Sequence, residues 1–400
     1  MADLILPNRD WCIDGLDSIA HALHAEGDAT RLVGGAVRDT LAGLIVKDID
    51  LATKLPPHEV VNRLKAACIK VVPTGIAHGT VTAVLEAGPV EITTLRRDIS
   101  TDGRRATVVF SDDWREDASR RDFTINALYA DLRTGAVHDY FGGVADLGAG
   151  VVRFIGDPLT RIAEDHLRIM RFFRFQARFG VGEPERAALA ACTARANDLM
   201  ALSRERIADE WLKLLALPDP TPTVRLMLAT GILLPVLPEI EPDAHLDLAL
   251  LVARETENNL EGDATRRFAA LLPADRQAVE NVATRLKLSR KMRQRLDRAA
   301  KRSASDADDP RALAYWWGEQ SAIDRLMLGT GQLDALIHWS APRFPLSGKD
   351  VIALGIDAGP EVAAILKNAE RAWVAAGFPE LAQARQILAD SIAVDPAKER

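Results

Sequence analysis

Cysteine is scarce in this chain. Cys12, Cys68 and Cys192 lie far apart and form no CxxC pair. That excludes a disulfide framework and a cysteine zinc site, and it suits free thiols in a reducing compartment. No apolar run approaches the ~20 residues that a membrane-crossing helix needs. The segment from Met1 to Trp11 has no basic region followed by a long apolar core, so no secretory signal is expected. An excess of basic charge is missing too. The formal net charge is −7, which argues against a general nucleic-acid binder and confines any such site to a local basic patch. No fixed-period repeat and no low-complexity stretch interrupts the chain. These absences describe a soluble protein, expected in the cytoplasm, with no membrane role and no obligate protein partner.

What is present is ample material for more than one core: 400 residues, 48% of them hydrophobic. Residues 1–150 read as mixed α/β. A strand at Arg31–Val33 leads through Gly34-Gly35 into a helix from Ala36 to Leu44, and Asp48–Thr53 is a short strand closed by Pro56-Pro57, which open a helix through Ala67. Ile69–Val72, Thr80–Leu85, Val90–Leu95 and Ala106–Phe110 are rich in the Val, Ile and Thr that strands favour. Asp98–Arg105 is polar, contains a glycine and reads as an exposed loop. Beyond Gly156 the character becomes helical, beginning at Asp157-Pro158, an N-cap followed by a first-turn proline. Breaks fall at Pro218–Pro222, Ser303–Pro310 and Pro342–Gly348.

The chemistry concentrates at Gly34-Gly35-Ala-Val-Arg38-Asp39 and Asp48-Ile-Asp50. Alternate residues of a strand share a face, so Asp48 and Asp50 project side by side. Two carboxylates that close repel unless a cation lies between them, and magnesium takes carboxylate oxygens. Glu91, on an adjacent strand, can bring a third. Gly34 and Gly35, without side chains, let backbone N–H groups approach a phosphate at a helix start, and Arg38 can add a charge-assisted contact. Either pattern alone is ambiguous: a DxD at a strand end is commonly solvated surface, and paired glycines before a helix are commonly a turn. Together they make a metal site beside a phosphate cradle, the outfit of nucleotidyl transfer.

These residues resemble the nucleotide-binding motif of the DNA polymerase β-like nucleotidyltransferases, in the subgroup holding class II CCA-adding enzymes and bacterial poly(A) polymerases. Further resemblances follow in the family's order: Glu91 within Val90–Asp98; Arg120-Arg121-Asp122-Phe123-Thr124-Ile-Asn126; Gly156-Asp157-Pro158 with Arg161; Glu164-Asp165-His-Leu-Arg168 continuing to Arg171 and Arg174; and Ser203–Glu210. Motifs matched in the family's order over roughly residues 30–215 make the resemblance specific.

The resemblance implies an α+β protein: a polymerase-β-like head of mixed sheet with helices at 1–150, then an all-α neck (151–217), body (218–305) and tail (306–400). It implies addition of C, C and A to the 3′ end of tRNA from CTP and ATP. Two magnesium ions on Asp48 and Asp50, supported by Glu91, would drive the transfer. Gly34, Gly35, Arg38 and Arg121 would meet phosphates, Asp122 the ribose, and Asp165 with Arg168 the base, while Arg171 and Arg174 would also touch the nucleotide, at its phosphates. Asp165 and Arg168, at i and i+3, are expected to neighbour one another on a helix, an acceptor beside a donor fork. Cytosine and adenine both set an amino group beside a ring-nitrogen acceptor; guanine and uracil place a carbonyl there, facing Asp165.

Phe172, Phe173, Phe175 and Phe179 read as the buried face of that helix rather than as base-stacking platforms. The Asp98–Arg105 loop resembles the full-length form of the loop implied in the switch from CTP to ATP. A stretch rich in basic residues from Arg285 to Arg302, with Asp297 its only acid, is read either as a tRNA phosphate surface or as a solvated helix face. Two alternatives stay open: a poly(A) polymerase, although no basic tail is present, and a catalytically silent tRNA-binding protein.

Overall fold

The structure, a computed structural model, describes residues 4–7, 11–23, 28–102 and 105–393. The chain divides into two compact units, Met1–Pro238 and Glu239–Arg400. Among the described residues no helix is long and apolar enough to cross a membrane.

The first unit begins with α1 (Leu16–Leu23), β1 (Thr30–Val33), α2 (Gly35–Leu41), β2 (Ile49–Thr53) and α3 (Pro57–Ala66). Strands β3 (Lys70–Gly75), β4 (Thr80–Leu85), β5 (Gly88–Thr94), β6 (Arg96–Asp102) and β7 (Arg105–Phe110) follow, then α4 (Trp114–Ser119), β8 (Leu128–Asp131), β9 (Val137–Asp139) and α5 (Gly143–Ala149). Seven strands form one sheet in the order β3-β4-β5-β2-β1-β8-β9. The β2–β5 pair is parallel and the other ladders are antiparallel, so the sheet is mixed.

Strand alternation explains where the carboxylates go. Leu32, Ile49 and Leu51 enter the larger core beneath α1, α2 and α3. Val33 and Ala52 enter a second cluster with Trp114 and Tyr129. Asp50, between Ile49 and Leu51, therefore projects from the face of Ala52, away from the larger core.

The segment read as an exposed loop is instead mostly paired strand. β6 and β7 form a separate two-stranded antiparallel ribbon in which Ser100 faces Thr107 and Asp102 faces Arg105. Cross-strand pairing satisfies the backbone groups of this polar segment. Residues 103 and 104, at its tip, lie outside the described residues.

Helices α6 (Pro158–Glu164), α7 (Arg168–Phe179), α8 (Arg186–Ala194), α9 (Arg204–Leu215) and α10 (Thr221–Ala229) complete the unit. Asp157 caps α6 as its sequence suggests, accepting from Thr160 N. The helix stops at Asp165, which is extended (φ −151°, ψ 106°), and α7 starts afresh at Arg168. Asp165 and Arg168 are thus not neighbours on one helix: a break in the chain separates them. Phe172 and Phe173 are fully buried, as expected of core residues.

The second unit is helical throughout its described residues: α11 (Ala244–Glu257), α12 (Ala264–Leu271), α13 (Arg276–Arg285), α14 (Arg290–Ala300), α15 (Pro310–Trp317), α16 (Glu319–Leu328), α17 (Gly348–Ile352), α18 (Pro360–Ala375) and α19 (Leu381–Ala393). The basic run at Arg285–Arg302 is not one open surface. Arg295 binds Asp324 at 2.5 Å and Asp263 at 2.8 Å, Arg285 pairs with Glu239, and Lys301 reaches Asp297 at 2.7 Å. Arg266 and Arg267 extend the Arg295 network through buried Glu255. Arg290 and Lys291 stay exposed at the start of α14.

Candidate active site

Asp48 is exposed just ahead of β2, and Asp50 is half-buried one residue into it. Both line a cavity of roughly 940 Å³. Gly34, Gly35 and Arg38 border it from the β1–α2 turn, Arg121 and Asp122 from the segment after α4, and Asp165, Arg168, Arg171 and Arg174 from the α6–α7 region. The sequence-picked residues thus converge, with one displacement. Glu91 stands opposite Asp50 in the parallel ladder but faces a neighbouring space of about 220 Å³, shared with Asp50, Arg96, Arg120 and Arg121.

Burial, followed by the charge of Glu91, lifts the Asp50 carboxyl to about 6; Asp48 adds to the rise and Arg121 opposes it. The described residues contain no group of three His, Cys, Asp or Glu side chains arranged to enclose a metal by themselves. Two carboxylates opening into a cavity, one of them disfavoured as an anion, nonetheless suit a hard divalent cation that completes its shell with water and phosphate oxygens. The donor chemistry fits the metal dependence general to nucleotidyltransferases.

Gly34 has φ +64°, a conformation costly for any residue with a Cβ. It turns the chain from β1 into α2, beside the Nη1 of Arg121, which would lie 3.6 Å from a Cβ built there. Arg38 lines the cavity but is committed: it pairs with Asp39 at 2.7 Å, donates to Asn126 Oδ1, and lies over the Phe179 and Phe175 rings at 4.6 and 5.1 Å. Burial, as the largest influence, holds its pKa below the ordinary arginine value.

Asp122 accepts from Phe123 N at 2.8 Å and Asn126 Nδ2 at 3.0 Å on one oxygen and from Arg171 Nε at 2.7 Å on the other. Burial pushes this carboxyl up, but the Arg171 charge and these hydrogen bonds outweigh it and keep it ionised below the usual range. Arg174 meets buried Glu210 at 2.5 Å, and Phe175 lies under Arg174 and Arg171 at 4.4 and 5.3 Å. Phe175 is therefore buried and also part of the cavity wall.

Asp165 is held twice, accepting from Leu167 N at 3.1 Å and from Arg206 Nη2 at 2.7 Å. Arg168 donates to the Arg161 carbonyl at 2.8 Å, to Glu164 at 2.5 Å and to the Arg120 carbonyl at 3.0 Å. Acceptor and donor thus border one cavity through tertiary positioning.

Sequence reasoning missed Asp117 and Tyr129 and gave no role to Arg206 or Glu210. Asp117 precedes Arg120 and Arg121 by three and four residues, a spacing that could have flagged it. Tyr129 carried no comparable signal.

Residues 30–153 match the Poly A polymerase head domain family. Residues 183–243 match the family described as the probable RNA and SrmB-binding site of polymerase A. The mitochondrial CCA tRNA nucleotidyltransferase 1 of Mus musculus is 33% identical over 389 residues, covering 91% of this chain and 87% of that protein. The CCA-adding enzyme of Levilactobacillus brevis is 31% identical over 394 residues, covering 90% and 93%. The fold is similar to that of the Thermotoga maritima CCA-adding enzyme complexed with tRNA, with a TM-score of 0.72 at 21% identity, over 98% of this chain and 99% of that one. With an α+β nucleotidyltransferase head, a helical remainder and relatives of this identity along nearly its whole length, the chain belongs to the family of CCA-adding tRNA nucleotidyltransferases.

Proposed function

We propose that this protein adds C, C and A in turn to the 3′ end of tRNA, using CTP and ATP and releasing pyrophosphate. The observation that carries the reading is the convergence of Asp48 and Asp50 with Asp165, Arg168 and Arg121 on one cavity.

In this reading the triphosphate lies along the Gly34-Gly35 turn, where the backbone can approach closely, and Arg121 meets it with charge-assisted hydrogen bonds. Arg171 and Arg174 add positive charge on the same side. Asp122, kept ionised, accepts from the ribose hydroxyl. Asp165 accepts the amino group of cytosine or adenine, while Arg168 donates to the adjacent ring nitrogen. A carboxylate oxygen has more than one lone pair, so Asp165 can serve the base while Arg206 holds it. Magnesium bound by Asp48 and Asp50, with Glu91 supporting, would activate the tRNA hydroxyl and stabilise the leaving pyrophosphate. The neck, body and tail boundaries at 151, 218 and 306 belong to the same reading. So does a reducing cytoplasmic setting, on the three free cysteines.

The test is extension of tRNA lacking its 3′ end, with labelled CTP and ATP supplied singly and together and products resolved to one nucleotide. The expected products are CC with CTP alone and CCA, then arrest, with both. Long tracts from ATP alone would mark a poly(A) polymerase. No extension by the intact, metal-supplied protein would mark a silent RNA binder.

A further inference from the structure

Arg120 and Arg121 reach the cavity from the end of α4, and both fasten on a carboxylate outside it. Asp117 is 1% exposed and does not border the cavity. Its Oδ1 accepts from Arg120 Nε at 2.9 Å and Nη2 at 2.7 Å, and from the backbone N of Arg96 at 3.3 Å. Its Oδ2 accepts from the Tyr129 hydroxyl at 2.7 Å and from Arg121 Nη2 at 3.1 Å. A carboxylate offers about four acceptor sites, so this one is saturated. Tyr129 is itself fixed: its ring is fully buried, edge-on to Trp114 at 5.4 Å and to Tyr140 at 6.0 Å. Its hydroxyl also accepts from Arg121 Nε at 3.1 Å.

The consequence concerns Arg121. With Nε and Nη2 engaged by Tyr129 and Asp117, the planar fork can present Nη1 in one direction only, and that atom lies against Gly34. We propose that Asp117, assisted by Tyr129, is the positioning residue for triphosphate binding, aiming Arg121 Nη1 at the glycine turn. The proposal rests on the reading of Arg121 as a phosphate contact. Asp117 touches no nucleotide itself. It also takes up part of the positive charge of two adjacent arginines, which would otherwise repel one another.

The test compares equilibrium binding of CTP and of CMP, with magnesium, to the full-length protein and to Arg121→Met, Asp117→Asn and Tyr129→Phe, each checked by thermal melting. CMP shares the base and ribose contacts and lacks the outer phosphates. Arg121→Met and Asp117→Asn are expected to weaken CTP by about tenfold and leave CMP unchanged, and Tyr129→Phe to weaken CTP a few-fold in the same selective way. If Arg121→Met lowers CTP affinity while the other two leave it intact, or lower CTP and CMP alike, Asp117 is structural only and the proposal is overturned. If Arg121→Met itself has no effect, the phosphate reading of Arg121 falls and the proposal with it. Should Asp117→Asn fail to fold, Tyr129→Phe decides the matter by the same comparison.

Discussion

Asp50 and Glu91 stand directly opposite one another across the parallel strands β2 and β5. Residues paired in this way share a face of the sheet, so the ladder holds the two side chains on the same side. Burial lifts the Asp50 carboxyl first and the repulsion from Glu91 lifts it further, to about 6, a cost that a bound cation would relieve.

That lift makes the metal-free protein pH-sensitive in a defined direction. Between an ordinary carboxyl value of 3.8 and the folded value of about 6, the folded protein holds the Asp50 proton more tightly than the unfolded chain. Stability from this group is therefore lost as pH rises through that window, and the loss is complete above it. Asp50→Asn has no such loss. In chelator, the stability difference between Asp50→Asn and the parent is expected to grow from pH 4 to pH 6 in favour of the variant, reaching at most about 3 kcal/mol. Denaturant melts across that range check it. A difference that does not change with pH would contradict the account of Asp50.

Base choice should depend on the acceptor character of Asp165. Replacing it by Asn puts an amino donor where the base's own amino group would point. The preference for CTP over UTP, as a ratio of kcat/KM, is expected to fall by about a hundredfold. A ratio equal to that of the parent would remove Asp165 from base recognition.

In the second unit, the basic run separates into two kinds of residue. Arg295 is largely buried between Asp324 and Asp263. Arg295→Ala therefore removes three charge-assisted hydrogen bonds from two carboxylates, leaving Asp324 with Arg266 and Gln320, and is expected to cost about 3 kcal/mol of stability. Lys291 is exposed. Lys291→Ala is expected to leave melting within about 0.5 kcal/mol and to weaken tRNA binding with a reduced salt dependence. Chemical denaturation and filter binding at several salt concentrations distinguish the two.

The local patterns were legible because short-range rules govern them. The two-residue spacing of Asp48 and Asp50 marked them as a pair, and both border one cavity although β2 starts only at Ile49. The Asp157-Pro158 pair gave the start of α6. What escaped depended on contacts distant in sequence or on chain breaks. Spacing suggested that Asp165 and Arg168 share a helix turn, but the helix ends at Asp165 and a contact with Arg206, 41 residues onward, holds the carboxylate. The polarity of Asp98–Arg105 concealed a ribbon because strand pairing is made by backbone groups, which side-chain polarity does not report. The charge run at Arg285–Arg302 looked uniform because its acidic partners, Glu239, Asp263 and Asp324, lie outside the run. Arg38 appeared available for phosphate, yet its packing against Asn126, 88 residues away, is invisible to any local pattern.

The most direct test of the central claim is single-turnover transfer of C onto tRNA lacking its 3′ end, by Asp48→Ala and Asp50→Ala, with magnesium present and folding verified by circular dichroism. Loss of transfer by about a thousandfold or more, with CTP still bound, is the predicted result. Transfer within about tenfold of the parent protein by either folded variant would contradict it.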